Sequence, residues 1–176
     1  MLRVAGLTFL LLLSACSSFT PHRGTGYLVL ENQRTHEQAG AQYRLPDGQI
    51  DLTGWQQLSY IMRDPSTPDG LMIDVDLLDF MADIRASLGL PAQAVIVVTS
   101  GYRSPQTNAS LRRQSGQVAD NSYHVKGMAA DIKIPGVDGA KVADVALRLH
   151  RGGVAFYPNN GHIHIDTGPP RTWSAY

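Results

Sequence analysis

The chain of 176 residues is poor in several things that would otherwise widen its possible functions. It has one cysteine, Cys16, so no intrachain disulfide can form and no thiolate cluster can hold a metal. It has two glutamates, Glu31 and Glu37, both in the N-terminal quarter. Any carboxylate chemistry in the C-terminal half must therefore fall to aspartate. Fifteen basic residues balance fifteen acidic ones, and no basic run occurs, so the electrostatic footprint of a nucleic-acid binder is missing. There is no internal repeat, and no apolar run is long enough to span a bilayer as an ordinary helix.

The longest apolar run, residues 4–13, follows Arg3 and precedes Leu13-Ser-Ala-Cys16. A short positive region, an apolar stretch and small residues make a secretory signal over residues 1–15. Leu-Ser-Ala-Cys also resembles the bacterial lipobox. That resemblance implies that Cys16 is lipidated and becomes the new N-terminus of a periplasmic, membrane-anchored lipoprotein. The alternative is plain cleavage near Ala15, with Cys16 a bystander. Residues 16–25 read as a polar tether, and residues 26–176 suffice for one domain with a real core.

Periodicity predicts an α+β domain in which a small antiparallel sheet carries the site and helices flank it. Residues 26–31 and 41–50 are expected to form a hairpin around a polar turn holding Asn32 and His36. Residues 51–62, 74–88, 105–114 and 138–151 read as helices, the second stopped by Gly89 and Pro91. Leu77, Leu78, Met81, Ile84 and Leu88 make a core-facing stripe on that second helix. His150-Arg151 before Gly152-Gly153 suits a helix C-terminus. Strands are expected at residues 94–99, 128–134, 154–157 and 162–166.

Two strands matter most. In residues 128–134, Met128, Ala130, Ile132 and Ile134 face the core, which turns Ala129 and Asp131 the other way. In residues 162–166, Ile163 and Ile165 alternate with His162, His164 and Asp166, which share the opposite face. Before the first strand stands His124, in a loop that turns at Gly127. Taken singly, these histidines are ordinary polar residues, as are His22 in the tether and His36 in a turn. Taken together, His124, Asp131 and His164 form a set of imidazole and carboxylate donors able to hold Zn²⁺ with a fourth position open. Tyr102, Tyr123 and Tyr157 can line such a cleft or pack in the core.

The pattern Ser122-x-His124-x-x-Gly127-x-Ala129-x-Asp131, followed by His162-x-His164, resembles the zinc metallopeptidases of the lysostaphin and D-Ala-D-Ala peptidase type. Ser100-Gly-Tyr-Arg103-Ser, Gly152-Gly153-Val-Ala-Phe-Tyr157-Pro and His164-Ile-Asp166-Thr-Gly168-Pro narrow the resemblance to the MepK-like (YcbK-like) murein endopeptidases of the bacterial periplasm. It covers roughly residues 26–173. It implies His124, Asp131 and His164 as zinc ligands, and Arg103 as the cation that steadies the substrate carbonyl or its oxyanion.

Many relatives place a glutamate just before the last zinc histidine, whereas this chain has Gly161 three residues before His164. The base role then passes by position to His162, as in related enzymes with His-x-His, and Asp166 is its rival. Asp166 can instead orient a ligand imidazole. The function implied is hydrolysis of peptide cross-links between peptidoglycan stem peptides by a monomer. A D-Ala-D-Ala-type carboxypeptidase and an inactive, zinc-holding wall-binding module are the alternatives.

Overall fold

The structure is a computed structural model that describes residues 24–68, 70–115 and 118–173. The secretory signal, Cys16 and most of the tether, His22 included, lie outside the described residues. The two described tether residues already belong to the domain. Gly24 donates its backbone N–H to Asp83 at 2.8 Å, and the Thr25 carbonyl accepts from Gln42 at 2.8 Å.

Strands β1 (Tyr27–Asn32), β2 (Gln38–Gln42), β3 (Val95–Ser100), β4 (Ala129–Lys133), β5 (Gly153–Tyr157), β6 (His162–Asp166) and β7 (Arg171–Thr172) form one sheet in the order β2-β1-β3-β4-β6-β5-β7. The α+β class is as expected, and the neighbouring pairs β3–β4, β4–β6 and β6–β5 are antiparallel. The sheet is wider than predicted, and β1 with β3 and β5 with β7 pair in parallel. The hairpin partner of β1 also starts earlier than the expected residue 41. Asn32 ends β1 and accepts from the Arg34 and Thr35 N–H groups, which tightens the turn and brings Gln38 into register with Glu31. Residues 43–50 then leave the ladder except for a single bridge between Arg44 and Ile50.

One face of the sheet carries the core. Leu28, Leu30, Ile96, Val98, Ala130, Ile132, Ile163 and Ile165 are buried there. Helices α1 (Leu52–Ile61), α2 (Val75–Ser87) and α4 (Gly139–Leu149) supply the other half of the same apolar cluster. Each helix starts as its sequence requires, with the carboxylates of Asp51, Asp74 and Asp138 accepting N–H bonds in the first turn. Helix α2 is buried beyond its stripe. Asp79 sits inside, bonded to the Tyr43 hydroxyl at 2.9 Å and to the Arg44 guanidinium at 2.6 Å. Leaving one half of such a buried pair without its partner costs about 3–5 kcal/mol, so these polar residues are fixed parts of the core.

Helix α4 ends differently from the expectation. It stops at Leu149 rather than residue 151, and His150 takes the left-handed conformation, at φ 51°, that glycine most often supplies at a helix end. Gly152 serves another purpose. A Cβ there would lie 1.7 Å from the Asp166 carbonyl oxygen, so the glycine lets β5 approach the end of β6. With the helices packed on one face, Asp131, His162 and His164 project from the other. Helix α3 (Pro105–Ser115), through Thr107 and Leu111, and Val118, Ala119 and Asn121 after it line cavities on that side.

Candidate metal centre

Three local devices bring the site together. Ser122 caps a short 3₁₀ turn, Tyr123–Lys126, by accepting the His124 N–H at 3.3 Å. Gly127 closes that turn in the left-handed region at φ 68°, which disfavours any residue with a side chain. The chain then enters β4, where antiparallel pairing sets Asp131 directly opposite His164. The expected gathering of His124, Asp131 and His164 is thus a consequence of strand register plus one capped turn. All three are buried.

Their donor atoms converge. His124 Nε2 lies 3.3 Å from His164 Nδ1, His164 Nδ1 lies 3.0 Å from Asp131 Oδ1, and His124 Nε2 lies 3.4 Å from Asp131 Oδ1. A tetrahedral zinc centre with bonds of about 2.0–2.2 Å has donor–donor edges of roughly 3.3–3.6 Å, so the triangle matches one face of that polyhedron to a few tenths of an ångström. The outer atoms of both rings fix which nitrogen is bare. His124 Nδ1 faces the Gly101 carbonyl at 2.8 Å, which can only accept, so Nδ1 carries the hydrogen. His164 Nε2 faces Asp166 Oδ2 at 2.9 Å and carries its hydrogen there. Two imidazole lone pairs and a carboxylate oxygen therefore point at one another. A cation relieves that arrangement, and the residues fit one.

The electrostatics agree. Burial opposes the charge on Asp131, but His124 and His164 hold its carboxyl well below the usual carboxylate range. Burial pushes the His124 imidazole below its ordinary value. For His164 burial acts in the same direction, yet hydrogen bonds and charge from Asp131 and Asp166 outweigh it and raise the ring above 6.5. A proton on His164 thus competes with a metal as pH falls.

Arg103 does something the sequence did not reveal. Its Nη2 donates to Asp131 Oδ2 at 2.6 Å and its Nε to Ser100 Oγ at 2.7 Å. It grips the outer oxygen of the carboxylate and leaves Oδ1 for the centre, while still lining the cleft. Asp166 has no exposure at all. Besides His164, it accepts two bonds from Arg171 at 2.9 and 2.6 Å and the backbone N–H groups of Gly153 and Gly168. Those bonds take its pKa far below the ordinary aspartate value despite burial. His162 stands one pleat from His164 on the same strand face. It is stacked on Tyr157 at 4.5 Å between centroids and 21° between planes, with no hydrogen-bond partner among the described residues.

The cleft over the donor triangle encloses ≈ 320 Å³. Tyr123, Tyr157, Arg171 and Trp173 line it together with Arg103. Tyr102 instead packs against the core cluster. Arg171 and Trp173 were missed in the sequence. Arg171 lies 5.1 Å from the centroids of both the Tyr123 and Trp173 rings and holds Asp166. A Cβ on Gly153 would fall 2.5 Å from Arg171 Nη1, so the Gly152-Gly153 pair was the available sign of a crowded site.

Comparison with known proteins agrees with this geometry. The family described as Peptidoglycan L,D-endopeptidase MepK (Peptidase_M15_2) matches residues 21–173. A protein of Haemophilus influenzae named probable peptidoglycan L,D-endopeptidase MepK is 43% identical over 146 residues, covering 83% of this chain and 77% of the relative. The peptidoglycan L,D-endopeptidase MepK of Escherichia coli strain K12 is 36% identical over 146 residues, covering 83% of this chain and 79% of the relative. A match across nearly the whole described domain, with the His124, Asp131 and His164 donors assembled within it, places this chain in the MepK family of M15 peptidases.

Proposed function

We propose that this protein is a zinc-dependent peptidoglycan endopeptidase that hydrolyses cross-links between stem peptides, acting as a monomer. The observation that carries the reading is the convergence of three bare donor atoms, His124 Nε2, Asp131 Oδ1 and His164 Nδ1. Two imidazoles with one carboxylate suit zinc and disfavour metals that want soft thiolate ligands. When bound there, zinc supplies Lewis acidity, which polarises a scissile carbonyl and makes water a usable nucleophile near neutral pH.

The chain's own residues divide the remaining work. Arg103 Nη1 is not spent on any hydrogen bond among the described residues and can steady the substrate carbonyl oxygen from the cleft side. His162 accepts the proton of the attacking water. It shares a strand face with His164, its ring makes no hydrogen bond among the described residues, and burial lowers its pKa, so the imidazole is neutral at pH 7. Asp166 orients the His164 ring, and Arg171 holds Asp166 in place. Digestion of purified cross-linked muropeptides, read by mass spectrometry, tests the reading. Dimers split into monomers are the expected products. Release of terminal alanine from intact stems would make the protein a carboxypeptidase, and unchanged dimers would make it a wall-binding module.

The location is also a proposal. Cys16 carries lipid and tethers the domain to a membrane facing the periplasmic wall. Its support is the 13–16 Leu-Ser-Ala-Cys run after an apolar stretch. Stable anchoring takes more than one acyl chain, so loss of the single attachment residue should release the protein. Cell fractionation of wild type and Cys16→Ser is expected to move the protein from membrane to soluble fractions. Identical partition of the two would remove the anchor.

A further inference from the structure

The cleft does not end at Arg103. A second cavity, of ≈ 280 Å³, lies on its other side, walled by Thr99 and Ser100 of β3, Thr107 of α3, Arg34 of the β1–β2 turn and Arg63 of the loop after α1. The Arg103 side chain is common to both cavities. Each is near the lower bound of ligand-pocket size, roughly 300 Å³, so neither alone accommodates both arms of a cross-link. An endopeptidase must hold chain on both sides of the bond it breaks, whereas an enzyme trimming a stem end needs room mainly on one.

The charges around the second cavity leave one cation in surplus. Arg103 is paired with Asp131, and Arg63 with Glu37 at 2.6 Å. Asp64 is buried, and its oxygens accept the Ser104 and Ser66 backbone N–H groups at 3.0 and 2.9 Å, so the start of α3 takes up its charge. Arg34 has no carboxylate partner among the described residues. Among the described residues its side chain makes one hydrogen bond, from Nη1 to Ser66 Oγ at 3.2 Å. The side chain is exposed at the rim of the cavity, with the rest of its donor fork unspent.

Resting on the endopeptidase reading, we propose that this second cavity is the subsite for one arm of the cross-linked substrate, and that Arg34 binds a free carboxylate of that arm. Peptide stems with acidic residues carry such groups, and a guanidinium fork binds a carboxylate with two parallel bonds.

The test is steady-state cleavage of a cross-linked muropeptide dimer by wild type, Arg34→Ala, Arg34→Lys and Arg34→Glu. Arg148→Ala, on the distant α4, is the control. One charge-assisted contact corresponds to about a tenfold change, so Arg34→Ala should raise KM about tenfold, Arg34→Glu more and Arg34→Lys less. Zinc content should be unchanged, and the loss should fall on KM rather than kcat. Amidating the free carboxylates of the dimer should weaken wild type by the same factor and leave Arg34→Ala indifferent. A wild-type KM for Arg34→Glu overturns the subsite. If wild type cleaves no dimer, the endopeptidase reading has failed on its own, and calorimetric titration of the same dimer then decides the subsite. Weaker binding by Arg34→Glu sustains it, and equal dissociation constants overturn it.

Discussion

Replacing both rings of the donor triangle, His124→Ala with His164→Ala, is expected to abolish stoichiometric zinc and, with it, cleavage of cross-linked muropeptides. The two rings contribute two of the three donor atoms at the centre. Each is fixed by a partner on its far side, Gly101 for His124 and Asp166 for His164. Asp131 alone is a single carboxylate already shared with Arg103. The Lewis acid contributes several kcal/mol of transition-state stabilisation, so the rate should fall by at least about 10³-fold, since each 1.36 kcal/mol is tenfold. Elemental analysis and a muropeptide digest of the same preparation check both halves. Full zinc content in the double variant would mean that the metal is held elsewhere. The sign of the pH effect is also fixed. His164 is raised above 6.5, so the competing proton is present below that raised value and absent above it. Zinc affinity should therefore weaken as pH falls through the raised pKa.

The second large effect separates His162 from Asp166. His162→Ala is expected to lower turnover on the order of 10²–10⁴-fold with zinc retained, as loss of a general base does. Among the described residues its ring is held by stacking on Tyr157 rather than by hydrogen bonds, which leaves both nitrogens available. Burial lowers its pKa below 6.5, with Asp131 opposing, so the base is unprotonated above that lowered value and lost below it. With zinc kept saturating, so that proton competition at His164 does not limit the rate, the acid limb of the wild-type profile should lie below pH 6.5 and disappear in His162→Ala. Asp166→Asn should behave differently. Its oxygens are already committed to His164, Arg171 and two backbone amides, so it has no capacity to take a proton from water. The expected loss is about 10–100-fold, in zinc affinity as well as rate. A fully active His162→Ala beside a zinc-loaded, inactive Asp166→Asn would reverse the two roles.

Period two in residues 129–133 and 162–166 was enough to set Asp131 and His164 on the face opposite the core, and antiparallel pairing then made them direct neighbours. The 3₁₀ turn at His124 was legible because Ser122 and Gly127 are residue types with one evident job each. Arg171 was not legible. Its strand is two residues long, and its partner Asp166 comes from tertiary packing that no local pattern encodes. The same holds for Arg103, whose grip on Asp131 spans 28 positions of sequence. The early start of β2 was hidden because Gln38, Ala39 and Gly40 carry little strand propensity, and pairing with β1 decides their conformation. Gly161, three residues before His164, reads in the structure as a turn residue. It sits at φ 67° between β5 and β6, where the backbone favours glycine.

Zinc titration of metal-stripped protein, with dimer cleavage followed at each addition, tests the central claim most directly. Activity should be absent without metal, rise linearly with added zinc and saturate at about one equivalent per chain, as expected for one closed donor set with a single open position. Full cleavage by the metal-free protein, or intact dimers after a full equivalent has bound, would contradict a zinc-dependent endopeptidase built on His124, Asp131 and His164.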